Sequence, residues 1–224
     1  MDSKENFLLE PDLPYILIGA GGHAKVIFDI LLLNNKKVAG FFDDHITDFL
    51  EQTYFGTIND LEQWTKSEKQ RYKFLVSIGD CVIRKKMVDR LDLPIQQYGK
   101  AIHPTAVITQ DSFIGMGTVI MANAVINPGV KIANHCIVNS GSIVEHDCII
   151  DSFVHLSPGV CLAGAVKVNT GSQIGIGAQC IQLKKIGSWC IIGAGSTIVK
   201  NIPSHSLAYG TPAKIMKEGI NLEF

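Results

Sequence analysis

From Ile102 onward the chain places a branched aliphatic residue at every sixth position. The series runs Ile102, Ile108, Ile114, Ile120, Ile126, Ile132 and on without a slip to Ile198, with Cys180 the single departure. The position four residues later in each hexad is small or apolar, from Ala106, Ser112 and Thr118 through to Ile202, with Lys184 the exception. A period of six matches neither an α-helix nor an alternating strand. It matches a parallel β-helix, in which each hexad is a short strand plus a corner. The aliphatic side chain points inward and the small residue fills the narrowing space beside it. If the cross-section is triangular, three hexads close one coil and residues 18 apart stack, with successive coils roughly 4.8 Å apart. The same frame sorts the cysteines. Cys136, Cys148 and Cys190 fall on the small inward position and Cys180 on the aliphatic one, where a free thiol packs as a small hydrophobe. Cys81 and Cys161 are left undecided.

The first hundred residues follow another rhythm. YILIGAGGHAKVIFDILLL, from Tyr15, reads as a buried strand, a Gly-rich turn and an apolar helix. KVAGFFDD reads as a second strand, TINDLEQWTK as a helix, KFLVSIGD as a third strand and CVIRKKMVDRL as a third helix. Alternating β and α predicts a small parallel sheet covered by helices. Such sheets bind ligands at the carboxyl ends of their strands, here Gly19 to His23, Asp43-Asp44 and Gly79-Asp80. The segment Gly19 to Ala24 matches GxGxxA, with Asp43 at a ribose-contact distance. The unit is half a dinucleotide fold. One nucleotide diphosphate therefore suits it better than NAD or a bare chain reversal, because a Gly turn opening a helix offers free N–H groups to an anion.

Bulk properties remove several classes. The 224 residues are 46% hydrophobic and 18% charged with a net charge of -1, which is globular and argues against nucleic-acid or membrane-surface partners. The basic run Arg84-Lys85-Lys86 is expected to decorate a helix. The N-terminal MDSKENFLLEPDLP is acidic and unlike a signal peptide, and no apolar run is long enough to span a bilayer. A cytoplasmic protein with free thiols is expected. Neither CxxC nor Cys/His spacing suggests a metal.

The motifs GAGGH from Gly19, IGDCVIRKK from Ile78, VNSGSIVEHDCIIDSFVHLSPGVCLAG from Val138 and AYGTPAKI from Ala208 together resemble the NeuD/PglD-like sugar O- and N-acyltransferases. Within that group they are most similar to the enzymes that acetylate bacillosamine or perosamine on a nucleotide carrier. The resemblance runs from about Tyr15 to Lys217. It implies a left-handed β-helix, a homotrimer and acetyl-CoA as co-substrate. It also implies that Gly21, Gly22, His23, Asp43, Asp44 and Gly79 contact the sugar nucleotide. His146 would be the general base with Asp147 sharpening its basicity, and His155, Ile176 and Ala194 would lie along acetyl-CoA. This chain departs from the bacillosamine pattern in having Asp147 for Glu, Gly21 for Ser and Ala194 for Gly.

The residues add geometry of their own. His146 is flanked by Glu145 and Asp147, so a carboxylate is at hand to orient its ring, and a histidine is the usual base near neutral pH. Gly164 follows it by 18 residues and should sit one coil above, its uncovered N–H a donor for an oxyanion. His155 lies only half a coil from His146, so the two share a site only across neighbouring subunits. His45, His103, His135 and His205 are left as surface or corner residues. The expected organisation is a tail (1–13), a Rossmann-like nucleotide-sugar-binding domain (14–100), a β-helix carrying acetyl-CoA and the catalytic groups (101–203) and a C-terminal segment (204–224). The expected activity is N-acetylation of a nucleotide-linked 4-amino sugar, UDP-linked in preference to dTDP or GDP. O-acetylation of a sialic acid or other sugar hydroxyl, a non-catalytic nucleotide-binding scaffold and an NAD enzyme are the alternatives.

Overall fold

The structure is a computed structural model that describes residues 13–220. The tail expected over 1–13 lies, apart from Leu13, outside the described residues, as does the end of the C-terminal segment.

The N-terminal domain is a four-stranded, all-parallel sheet. Its strands are β1 (Tyr15–Ile18), β2 (Val38–Phe42), β3 (Tyr54–Gly56) and β4 (Lys73–Val76), in the order β3-β2-β1-β4. β1 is buried along its whole length, as a central parallel strand covered on both faces must be. Helix α1 (Gly22–Leu33) follows β1, and α4 (Cys81–Leu91) follows β4. Asp80 caps α4 by accepting from the N–H groups of Val82 and Ile83. Two features differ from the sequence reading. Tyr54–Gly56 adds a fourth strand. The single helix expected over TINDLEQWTK is two short ones, α2 (Ile58–Glu62) and α3 (Lys66–Lys69). Thr57 with Asp60 and Thr65 with Glu68 each form a capping box. The second box starts a new helix where the first would have continued. Between them Trp64 packs on Phe42, Phe55 and Tyr72.

From Ala101 the chain winds into a parallel β-helix of two-residue strands on three faces. Each strand pairs with the one 18 residues on, as in Ile137↔His155 and Val138↔Leu156. The inward aliphatic and small positions form one continuous core that includes Cys136, Cys148, Cys180 and Cys190. Polar residues on the small inward position satisfy themselves locally: the hydroxyls of Thr118, Ser142 and Ser172 donate to the carbonyls of Ala133, Ser157 and Gly187. Cys161 is half-buried on an outer face, and Cys81 is buried at the start of α4. A second period of six runs along the corners. From Gly117 to Gly195 one residue in each hexad has φ between 55° and 73°. Glycine fills half of these left-handed positions. The rest, among them His135, Asp147 and Phe153, carry side chains whose direction the corner dictates. Beyond Pro203, Leu207–Gly210 adds a parallel strand to one face and Ala213–Lys217 folds back on it antiparallel.

The N-terminal domain seats on the first coils. α1 and β1 share a core cluster with Val119, Met121 and Ile137. Two expectations are corrected here. Arg84 does not decorate a surface; it is 1% exposed. His135 is not a surface residue either; it is 3% exposed, stacked on Phe153 at 5.2 Å and edge-on to Tyr98 at 4.5 Å. The left-handed corner places rings 135 and 153 one coil apart, and the N-terminal domain closes over them.

Candidate active site

A cavity of about 540 Å³ opens at the carboxyl ends of β1, β2 and β4. All six residues expected to contact a sugar nucleotide line it: Gly21, Gly22, His23, Asp43, Asp44 and Gly79. A Cβ added at Gly21, Gly22 or Gly79 would meet nothing within 4 Å, and none has a positive φ. The fold itself therefore does not demand glycine there; the bare backbone keeps the cavity open. Gly19 differs, with φ of 95° where the chain leaves β1. The Asp43 carboxylate is already committed. It accepts from the N–H groups of Ala20, His45 and Ile46 at 2.8 Å each, so it shapes the turn as well as lining the cavity. Asp44 accepts from the Ile58 N–H at the start of α2. His45, expected to be mere surface, also lines the cavity, together with an apolar wall of Ile46, Ile58, Ile83 and Met87. Its position next to Asp44 at the end of β2 was the available signal.

His23 stands in the first turn of α1, its ring centroid 6.5 Å from that of His155. Burial, then the charges of His155 and Arg84, push His23 down to about 4. Burial and Arg84 likewise push His155 down to about 4, against the Gly79 carbonyl and Asp80, which raise it. Both rings are neutral at physiological pH. His155 Nδ1 lies 3.1 Å from the Gly79 carbonyl, which only accepts, so Nδ1 carries the hydrogen. Nε2 then accepts from Asn139 Nδ2 at 3.2 Å. The Asn139 amide is oriented for this because its Oδ1 takes the Ser140 N–H. His155 thus sits beside the cavity, at the junction of the two domains.

His146 occupies a different corner. Its side chain is 61% exposed, and Nδ1 lies 2.8 Å from Asp147 Oδ2. A carboxylate accepts, so Nδ1 donates, which in the neutral ring leaves the Nε2 lone pair open. Asp147 reaches back to its neighbour because it holds the left-handed corner, with φ of 60°. Glu145 turns away and accepts from Asn127. The Ala165 N–H donates to the His146 carbonyl, which stacks Gly164 on His146 as the count of 18 requires. A Cβ on Gly164 would lie 2.5 Å from His146 Nε2. Only glycine leaves the ring its seat. The Gly164 carbonyl takes the Leu183 N–H, whereas its own N–H donates to no protein atom among the described residues.

Ile176 and Ala194 lie on a third location, the corner between the His155 face and the next. They are stacked 18 apart and exposed, with the Gly195 N–H donating to the Ile176 carbonyl. The chain thus presents three separate places: His146 with Asp147 and Gly164, the cavity with His155 beside it, and the exposed Ile176–Ala194 edge. Among the described residues no group of three or more His, Cys, Asp or Glu is placed to hold a metal, and no helix is long and apolar enough to cross a membrane.

Comparison with known proteins places both halves. The PglD N-terminal domain matches residues 15–91, and the bacterial transferase hexapeptide (six repeats) matches residues 106–146. UDP-N-acetylbacillosamine N-acetyltransferase of Bacillus subtilis (strain 168) is 37% identical over 109 residues, spanning 47% of this chain and 50% of that protein's length. The acetyltransferase domain of PglB from Neisseria gonorrhoeae FA1090 superposes with a TM-score of 0.84 at 33% identity, over 91% of this chain and 99% of that one. PerB from Caulobacter crescentus, in complex with CoA and GDP-perosamine, gives a TM-score of 0.84 at 33% identity, over 91% and 97%. With a small parallel nucleotide-type domain feeding a left-handed hexapeptide β-helix, and with identity above 30% across nearly the whole of two such proteins, the chain belongs to the PglD-type family of two-domain hexapeptide-repeat sugar acetyltransferases.

Proposed function

We propose that this chain is an acetyl-CoA-dependent N-acetyltransferase for a UDP-linked 4-amino-deoxy sugar, working by direct transfer in a ternary complex. The observation that carries the reading is His146: Nδ1 tied to Asp147, Nε2 free, and the ring seated against the bare backbone of Gly164. In this reading the cavity of Gly21, Gly22, His23, Asp43, Asp44 and Gly79 holds the nucleotide and extends the sugar toward the β-helix. The amine nitrogen attacks the thioester carbonyl, and His146 Nε2 takes its proton. The Gly164 N–H receives the developing oxyanion. The C–S bond then breaks and the thiolate recovers a proton. A positioned base of this kind contributes about 10²- to 10⁴-fold, and one oxyanion donor about 10²- to 10³-fold.

Because His146 and His155 lie on separate parts of one protomer, the complete site is proposed to form between neighbours in a homotrimer. His155 of one subunit and the Ile176–Ala194 edge would face His146 of the next, with the pantetheine arm along the exposed corner. Apolar residues on the outer faces, Val107 and Ile143 among them, give the neighbour a surface to cover. Support for the acceptor class comes from the relatives: the Bacillus protein's name specifies a UDP sugar, and the Caulobacter structure holds GDP-perosamine.

The test is thiol release from acetyl-CoA with UDP-, dTDP- and GDP-linked 4-amino sugars, using wild type and His146→Ala. Release with the UDP sugar, lost by two or more orders of magnitude in the variant, is the expected result. Release that survives in His146→Ala, or that requires a sugar hydroxyl in place of the amine, refutes it.

A further inference from the structure

The buried Arg84 has no part in the chemistry so far. It enters no ion pair among the described residues, although it is 1% exposed. Burying a cation without a counter-charge costs several kcal/mol unless every donor is satisfied. Arg84 satisfies them with backbone. Nε donates to the His135 carbonyl at 2.9 Å. Nη1 donates to the Ile78 and Gly79 carbonyls at 2.9 and 2.8 Å. Nη2 donates to the Phe153 carbonyl at 2.9 Å and faces Cys81 Sγ at 3.7 Å. Ile78 and Gly79 belong to the nucleotide cavity, whereas His135 and Phe153 are adjacent-coil corners of the β-helix. Adhesion between domains alone would be served at least as well by apolar packing. A planar five-donor fork instead sets distances between carbonyls on both sides.

The Gly79 carbonyl is the point where this matters. It accepts from Arg84 and also from His155 Nδ1 at 3.1 Å, so both of its lone pairs are used. Phe153 is two residues before His155 on the same coil. Arg84 therefore holds the cavity wall, the strand that carries His155 and, through the shared carbonyl, the tautomer of the imidazole. We propose that Arg84 is a positioning residue, which registers the nucleotide cavity against His155 and keeps that ring in its Nδ1–H form. The proposal rests on the transfer reading above for its kinetic consequence but not for its spectroscopic one. The charged or titratable groups facing His155 are Arg84, His23, Asp80 and Cys81. Arg84 is the only fixed cation among them.

The experiment uses the full chain with 15N-labelled histidine, in wild type, Arg84→Lys and Arg84→Met, with thermal unfolding recorded for each. In wild type, His155 is expected as the Nδ1–H tautomer with a titration midpoint well below the ordinary 6.5. In Arg84→Met the tautomers mix and the midpoint rises. For the sugar with which wild type releases thiol, kcat falls by about 10²-fold, the scale of a misplacement near 1 Å, while KM for the nucleotide sugar moves far less. Arg84→Lys keeps the charge but not the fork, so it restores the low midpoint and only part of kcat. Wild-type His155 found as Nε2–H, or titrating in the ordinary range, overturns the proposal even if Arg84→Met fails to fold. A folded Arg84→Met with wild-type kcat overturns it as well. If wild type is silent with every sugar while the His155 tautomer still depends on Arg84, positioning stands and the acetyltransferase reading falls.

Discussion

Gly164→Ala isolates the seat of the proposed base. The added Cβ would stand 2.5 Å from His146 Nε2 and 2.6 Å from Cε1. An ordinary contact begins near 3.4 Å, so the ring must retreat by about 0.9 Å. It has room to do so, because the side chain is 61% exposed and tethered only to Asp147. Gly164 has no positive φ, so alanine brings no backbone strain. The fold should therefore be nearly indifferent, with a thermal midpoint within about 3 °C of wild type. Catalysis should not be indifferent. A displacement near 1 Å costs on the order of 10²-fold, about 2.7 kcal/mol of activation free energy. The assay is thiol release under saturating co-substrates, run beside His146→Ala and the double variant. If alanine acts by moving the ring, the double variant is no slower than His146→Ala alone, because contacting residues do not add. A Gly164→Ala enzyme with wild-type kcat would refute the geometry. A loss that multiplies with His146→Ala would assign it to the backbone donor rather than to the ring.

Three further outcomes are expected. Asp147→Asn should fold normally, since asparagine tolerates the left-handed corner that Asp147 occupies, but it cannot stabilise an imidazolium; kcat should fall by about 10- to 100-fold, and an unchanged kcat would remove Asp147 from the mechanism. Co-expressing His146→Ala with His155→Ala chains should recover about one quarter of wild-type activity if each site joins the two histidines across a cyclic trimer interface, whereas self-contained protomers recover none. His23, His135 and His155 are each pushed down to about 4, in every case mainly by burial. As pH falls through 6.5 the unfolded chain binds protons that the folded chain refuses until about 4, so stability declines across that window. Each histidine contributes at most about 1.4 kcal/mol for every pH unit crossed. Urea midpoints at pH 7.5 and 5 test this, and a flat profile would show that the rings are solvated.

Much of this molecule was readable because its regularities are local and periodic. An aliphatic residue every six positions decides which side chains face inward, and stacking at 18 follows from it; the pairing of Ile137 with His155 and the seating of His146 under Gly164 are consequences of counting. The cavity residues were legible for a similar reason, since parallel strands present their carboxyl ends together. Half of the left-handed corners were written as glycine; Asp147 and His135, of types that tolerate the conformation, hold it too, and so does Phe153, whose ring no local preference assigns there. The break between α2 and α3 lies between two successive Thr capping boxes, where Trp64 packs on Phe42, a long-range contact that the local pattern does not contain. What tertiary structure alone decided is the junction. Arg84 and His135 look like surface residues in the chain, and burial of either is unfavourable on its own. They are buried because the N-terminal domain lands on corners whose carbonyls, at His135 and Phe153, match the Arg84 fork. No pattern within either domain specifies that match, because its donor and its acceptors lie on opposite sides of the interface.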